Sequence, residues 1–283
     1  MSQPIRIAVA GVRGRRGSRI LNAARAEDDL IVVGATERAG GPHIGLDAGL
    51  LTGAGPLEVP ICGTLEEALA RAPADVLIDF TTAEASLHHA DICASQGVAL
   101  VVGTTGFSAA QKAQIASHAA RIPILMAPNM SIGVNVLFQL IADCAKALGP
   151  QFECEVVELH HRQKRDAPSG TALRLAEAAA VGLGLDGQAP GTFVYERHGD
   201  IGPRKAGTIG VQTLRGGDVI GEHTVYFLGD GERIELTHRA TSRENFARGA
   251  VRAARFLNGR APGLYDMQDV LGFNDQTAPS ARP

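Results

Sequence analysis

Ile5-Arg6-Ile7-Ala8-Val9-Ala10-Gly11-Val12-Arg13-Gly14-Arg15-Arg16-Gly17 decides how the N-terminal half is read. A short apolar run passes into three glycines spaced by three and then into a helical pattern over 18–27. Glycines so placed let the backbone turn sharply and come close to a pyrophosphate, and the helix start adds N–H groups and a positive dipole end. The same spacing with no ligand would simply be a tight strand–helix turn. Glu37-Arg38 stands 20 residues beyond Gly17. A carboxylate at that distance suits a ribose hydroxyl, and the adjacent guanidinium suits a 2′-phosphate, so NADH and NADPH are both expected to bind. A solvated surface pair is the plainer alternative.

Working outward, near-continuous apolar runs at 5–10, 30–35, 76–80, 98–102 and 124–127 read as strands buried on both faces. Helical patterns at 18–27, 83–95 and 108–121 alternate with them, which implies a parallel, doubly wound, Rossmann-type α/β sheet. Gly103-Thr104-Thr105-Gly106 and Ala127-Pro128-Asn129-Met130-Ser131 follow the fourth and fifth of these strands. Ligands of open α/β sheets bind beyond the carboxyl ends of the strands, so both loops are expected near the nicotinamide. Residues 39–60 are Gly-rich and aperiodic and read as a mobile loop. An amphipathic helix follows at 132–148.

The texture then changes. Strands are expected at 153–160, 192–197, 207–214, 223–228 and 232–238, interrupted by one helix at 171–181. In the last strand Ile234 and Leu236 alternate with Arg233, Glu235 and Thr237, a half-solvated antiparallel pattern. This is a second, α+β domain with a mixed or antiparallel sheet. A helix at 243–258 closes the chain, and 274–283 reads as a frayed tail.

The chain has 283 residues, 34 of them glycine, no Trp, and 27 Lys and Arg against 30 Asp and Glu. That length suggests two domains. The charge balance of −3 gives no reason to expect nucleic acid or a membrane surface as partner. No apolar run was expected to reach the roughly 18 residues of a membrane span, and the first is too short for a signal sequence. Cys62, Cys93, Cys144 and Cys154 form no CxxC, as in a reduced, cytoplasmic protein.

The densest chemistry is Glu158-Leu159-His160-His161-Arg162-Gln163-Lys164-Arg165-Asp166-Ala167-Pro168-Ser169-Gly170-Thr171. Imidazoles and cations precede a helix start, an arrangement suited to a dianionic substrate. Lys164 and the N–H groups near Gly170 and Thr171 would hold carboxylates, and a histidine would move a proton near neutrality. A metal is not expected, because adjacent histidines on a strand point to opposite faces. Binding of nucleic-acid phosphate, which the net charge and the lack of interleaved aromatics oppose, and a solvated loop are the other readings.

On these segments, and on Gly207-Thr208-Ile209-Gly210, Arg215-Gly216-Gly217-Asp218, Gly221-Glu222-His223 and Tyr265-Asp266-Met267, the chain resembles the dihydrodipicolinate reductase family of diaminopimelate and lysine biosynthesis. The resemblance covers nearly the whole length. It implies an NADPH- or NADH-dependent reduction of 4-hydroxy-tetrahydrodipicolinate, a small dicarboxylate, to tetrahydrodipicolinate with loss of water. His160 and Lys164 would be the proton-transfer pair, and His161, Gly170 and Thr171 would contact the substrate carboxylates. Gly11, Val12, Arg13, Gly14, Arg15, Arg16, Glu37, Arg38, Gly103, Thr104, Thr105, Ala127, Pro128, Asn129 and Met130 would bind the dinucleotide. It further implies a homotetramer, a dinucleotide domain at 1–130, a substrate and assembly domain at 131–240, and a segment at 241–283 returning to the first. The sequence departs from the family's usual small residue at Arg13 and aromatic at Met130. Rival readings are another two-domain dehydrogenase, of aspartate-semialdehyde or homoserine type, and a nucleotide-sensing regulator without catalysis.

Overall fold

The computed structural model describes residues 3–274. The chain up to Ile132 and from Glu244 onward makes one compact unit, and Gly133–Arg243 makes the other. The first unit runs β1 (Ile5–Ala10), α1 (Gly17–Arg25), β2 (Leu30–Thr36), α2 (Ala48–Thr52), β3 (Ile61–Cys62), α3 (Leu65–Arg71), β4 (Val76–Asp79), α4 (Ala83–Gln96), β5 (Ala99–Val102), α5 (Ala109–Ser117) and β6 (Pro123–Met126). The second holds α6 (Ile132–Leu148), β7 (Glu153–His160), α7 (Gly170–Leu183), β8 (Phe193–Val194), β9 (Ile209–Arg215), β10 (Gly221–Gly229) and β11 (Glu232–Ala240). The elements α8 (Glu244–Leu257), β12 (Gly263–Tyr265) and α9 (Met267–Val270) belong to the first unit.

The first sheet is parallel throughout, in the order β12-β6-β5-β4-β1-β2-β3. Side chains alternate across it. Ile7 and Val9 join the core under α1 and α8, whereas Ala8 and Ala10 join the core under α3, α4 and α5. That double burial is why these strands are apolar without a polar face. The strand order reverses direction at β1, between β2 and β4, so the crevice for a ligand lies beyond the carboxyl ends of β1 and β4.

The second sheet is mixed, in the order β11-β10-β7-β9-β8, with β7 and β8 parallel to β9 and β10 antiparallel to both neighbours. Its register stacks side chains in rows across β9, β7, β10 and β11. Ile209–Cys154–Phe227–Ile234 and Val211–Val156–Val225–Leu236 are apolar. Val134, Leu137, Phe138 and Ile141 of α6 and Leu175, Ala176 and Ala179 of α7 cover them. The next rows turn polar: Thr213–Glu158–His223–His238, then Arg215 beside His160 and Gly221 opposite Ala240.

Several expectations need correction. Residues 39–60 are not a featureless loop, because Asp47 caps α2 by accepting from the Leu50 N–H at 2.8 Å and also binds the N–H groups of Leu57 and Val59. One carboxylate thereby organises a segment that has no hydrophobic period. The elements β3, α3, β12 and α9 escaped notice because each is too short to show one. The strand expected at 192–197 shrinks to Phe193–Val194. Strand β11 lies at the sheet edge and keeps the expected half-solvated alternation, with Arg233, Glu235, Thr237 and Arg239 exposed, Leu236, His238 and Ala240 partly buried, and only Ile234 on that second face as open as 36%. With the turn after it, α6 gives a stretch Ile132–Gln151, of mean hydropathy 1.4, long and apolar enough by composition to span a membrane. The sequence reading missed this; the helix's Val134, Leu137, Phe138 and Ile141 form the core of the second unit. Of the terminal segment 274–283, Asn274 donates to Asp269 at 2.8 Å, and 275–283 lie outside the described residues.

Candidate active site

In the first unit β1 runs into Gly11, whose φ of +68° is left-handed backbone. A Cβ on Gly17 would run into the Gly11 carbonyl and Val12 Cα, so the third glycine allows α1 to start against the end of β1. Val12 is buried, while Arg13, Gly14, Arg15 and Arg16 are exposed. The N-terminus of α1 has no side-chain cap; the Ser18 N–H donates to the Gly14 carbonyl at 3.0 Å, and the positive end of the helix faces the glycine loop. The cradle therefore fits a dinucleotide phosphate. Glu37 accepts from the Arg13 N–H at 3.2 Å, which sets its carboxylate beside the loop, and Arg38 is exposed next to it.

At the end of β5, Gly103 lies where a Cβ would strike the Phe80 ring, and Thr104 is buried and accepts from Ser86 Oγ at 2.9 Å. Thr105 is exposed. After β6, Ala127 is buried, Pro128 exposed, and Asn129 Oδ1 accepts from the Ser131 N–H at 2.9 Å. Met130 differs from expectation. The whole residue is buried, its side chain in the core with Val251 and Ala250 and its carbonyl against Gly249.

In the second unit the two polar rows form a site of their own. Cys154, Val156, Glu158 and His160 share one face of β7, and all four are buried. Glu158 is completely inaccessible. Its Oε2 accepts from His160 Nδ1 at 2.5 Å and from Arg215 Nη1 at 2.8 Å. Its Oε1 accepts from Arg215 Nη2 at 2.8 Å, from the Ser169 N–H at 3.0 Å and from Thr213 Oγ1 at 3.3 Å. Burial alone would raise its pKa. The bonds from His160 and Arg215, the Ser169 N–H and the charge of His160 outweigh that and hold it at about 2. The carboxylate is thus ionised at neutral pH.

Ser169 caps α7 by accepting from the Ala172 N–H at 3.1 Å, and its hydroxyl meets His223 Nε2 at 3.2 Å. The His160 and His223 rings lie 5.1 Å apart, edge to face. Burial, reinforced by the charge of His160, pushes His223 down to about 3, so it is neutral near pH 7. Gly221 completes the packing: a Cβ there would approach His160 Nε2 to 2.9 Å. Lys164 lies on the turn after β7 and donates to both oxygens of Asp166, at 2.8 and 2.9 Å. The His161 N–H is tied to the Val219 carbonyl at 2.7 Å. Gly170 and Thr171 open α7 directly after its cap. The structure thus gathers His160, Lys164, His161, Gly170 and Thr171 at one end of one sheet. Sequence reasoning missed the roles of Glu158, Thr213, Arg215 and His223. For Glu158 the signal was present, since it stands two residues before His160 on a strand.

A doubly wound parallel sheet with a glycine loop at its switch point, joined in one chain to a mixed sheet that ends in a carboxylate–imidazole pair, defines a nicotinamide-dependent oxidoreductase. Family models described as dihydrodipicolinate reductase, N-terminus and C-terminus, match residues 5–130 and 133–271. The chain belongs to the dihydrodipicolinate reductase family, whose activity is a reductive step of diaminopimelate and lysine biosynthesis. It is 57% identical over 269 residues to the 4-hydroxy-tetrahydrodipicolinate reductase of Myxococcus xanthus (strain DK1622), covering 95% of this chain and 98% of that one. With the enzyme of the same name from Anaeromyxobacter dehalogenans (strain 2CP-C) it shares 56% over 269 residues, again 95% and 98% of the two chains. Among solved structures, a dipicolinate-bound dihydrodipicolinate reductase from Paenisporosarcina sp. TG-14 matches with a TM-score of 0.74 at 25% identity, over 93% of this chain and 98% of that one.

Proposed function

We propose that the chain reduces 4-hydroxy-tetrahydrodipicolinate to tetrahydrodipicolinate and water, with His160 and Lys164 as the proton-transfer pair. The observation that carries this reading is the His160 imidazole, fixed by a buried carboxylate beside the opening turn of α7. Gly170 and Thr171 present N–H groups at that turn, and Lys164 and His161 add donors, a set matched to the carboxylates of a small dicarboxylate. The relative that carries dipicolinate supports the substrate class. In the first unit Gly11, Val12, Arg13, Gly14, Arg15 and Arg16 hold the pyrophosphate, and Glu37 and Arg38 hold the adenosine ribose of NADH or NADPH. Gly103, Thr104, Thr105, Ala127, Pro128 and Asn129 serve the nicotinamide end.

When bound, the reduced nicotinamide supplies the hydride that forms the new C–H bond at ring C4, where water has left. The electron pair displaced towards C3 makes an enamine-like anion, and His160 or Lys164 delivers the proton that closes C3. Cationic side chains around that carbon stabilise the charge as it develops. The second unit is also proposed to carry homotetramer assembly, supported by the open edge of β11. A cytoplasmic location follows from the same pathway assignment.

The test is NAD(P)H oxidation with substrate formed in situ from pyruvate and aspartate semialdehyde. His160→Ala and Lys164→Ala are each expected to lower kcat by about 10²–10⁴ while KM for NADPH stays near wild type. Wild-type turnover in either variant removes that residue from the mechanism. Cofactor binding with no oxidation by the wild-type protein would favour the sensor instead.

A further inference from the structure

We propose that Glu158 is a positioning residue that sets the His160 imidazole and the substrate-binding turn of α7 in register with one another. The inference rests on the reading of His160 as a proton-transfer group. Arg215 alone would satisfy the charge of Glu158, since it binds both carboxylate oxygens at 2.8 Å. The carboxylate nevertheless makes three more hydrogen bonds, one from Thr213 and two that go to the site. Oε2 takes the Nδ1 proton of His160, and Oε1 takes the Ser169 N–H immediately before Gly170.

The first contact fixes the tautomer. With Nδ1 committed as donor to a carboxylate, Nε2 is the nitrogen left to exchange a proton with a ligand. Gly221 carries no side chain to cover that nitrogen, and any Cβ there would crowd it at 2.9 Å. The second contact fixes the anion site. Ser169 is the N-cap of α7, so holding its N–H holds the turn whose next two residues present their own N–H groups. Arg215 extends the hold to the intervening turn by donating to the Asp166 carbonyl at 2.6 Å.

Among the described residues, several groups face Glu158. They are His160 on its own strand, Thr213 and Arg215 on β9, His223 on β10 and Ser169 at the start of α7, with Lys164 and Asp166 on the turn. None of the others binds both halves of the site. Glu158 itself is inaccessible, so it acts only through the groups it holds.

The test is a double-mutant cycle on kcat with Glu158→Gln and His160→Gln. The amide keeps the size of Glu158 but can offer only one acceptor oxygen, so Nδ1 and Ser169 cannot both be served. Glu158→Gln alone should lower kcat about 10–100-fold, with KM for NADPH unchanged. In the His160→Gln background the same change should alter kcat by no more than about two-fold, because the imidazole it holds is already gone, while KM for the dicarboxylate should still rise through the Ser169 turn that Glu158 also holds. Equal losses in both backgrounds, or full kcat in Glu158→Gln, would overturn the inference while leaving His160 in place. Wild-type kcat in His160→Gln alone would instead sink the site reading. If Glu158→Gln does not fold, Glu158→Asp, which keeps the charge and withdraws it by one methylene, enters the cycle with the same criteria.

Discussion

His223 makes acid sensitivity a quantitative consequence of the site. Its imidazole is buried against His160, Ser169 and Glu158, with His238 and Lys164 nearby, and it titrates at about 3 in the fold instead of the ordinary 6.5. Above pH 6.5 both folded and unfolded chains leave the ring neutral, and nothing is gained or lost. Below it the unfolded chain binds a proton that the folded chain refuses until about pH 3, so stability falls as pH falls. Each pH unit in that window costs about 1.4 kcal/mol, hence about 2 kcal/mol between pH 7 and pH 5 and about 5 by pH 3. Glu158, ionised down to about 2, adds its loss only below its ordinary 4.5, so the upper part of the window belongs to histidine. His238 is also lowered by burial, but it is present in wild type and variant alike. The assay is urea unfolding of wild type and His223→Gln at pH 7, 6 and 5, at one protein concentration because assembly would shift the midpoint. Wild type should lose about 2 kcal/mol more than the variant across that range. Parallel curves would refute the reasoning, since they would mean that folded His223 takes its proton as readily as the unfolded chain.

Two further outcomes test the first unit. Arg38→Ala should raise KM for NADPH about tenfold while changing KM for NADH little, as expected for loss of one charge-assisted bond to a 2′-phosphate; equal losses would show that Arg38 does not read that phosphate. Gly17→Ala places a methyl against the Gly11 carbonyl and Val12 Cα and should cost about 1–3 kcal/mol, seen as a Tm lowered by several degrees in a calorimetric scan. An unchanged Tm would show that the loop widens without cost.

The parts of the fold legible in the sequence were those whose physics is local. The apolar run 5–10 and the strands around it are buried on both faces, and nothing but an interior parallel strand accounts for such runs between helical periods. The second unit's long strands showed themselves by alternation, and β7 was read with the bounds it has in the structure. Elements set by a single tertiary bond were not legible. The helix α2 exists because Asp47 caps it and reaches across to Leu57 and Val59, a fact no window of hydrophobicity contains. Strand β12 is only three residues long and is defined by its pairing with β6.

The candidate site divides along the same line. Gly11 to Gly17 and His160 to Thr171 are contiguous strings whose spacing carries their meaning. Arg215 and Thr213 lie more than fifty residues from Glu158 and reach it only because β9 pairs with β7 in one particular register. A shift of one residue would turn every side chain of β9 to the other face. Yet the face itself held a clue. Down β7 the inward positions read Cys154, Val156, Glu158, His160, and the apolar start of that series predicts a buried third position. A carboxylate there must lose its water and be repaid by several bonds, and an apolar side chain of similar size would be at least as stable. A charge placed where stability does not ask for one is therefore best explained by what it holds, and what Glu158 holds is the imidazole of His160 and the cap of α7.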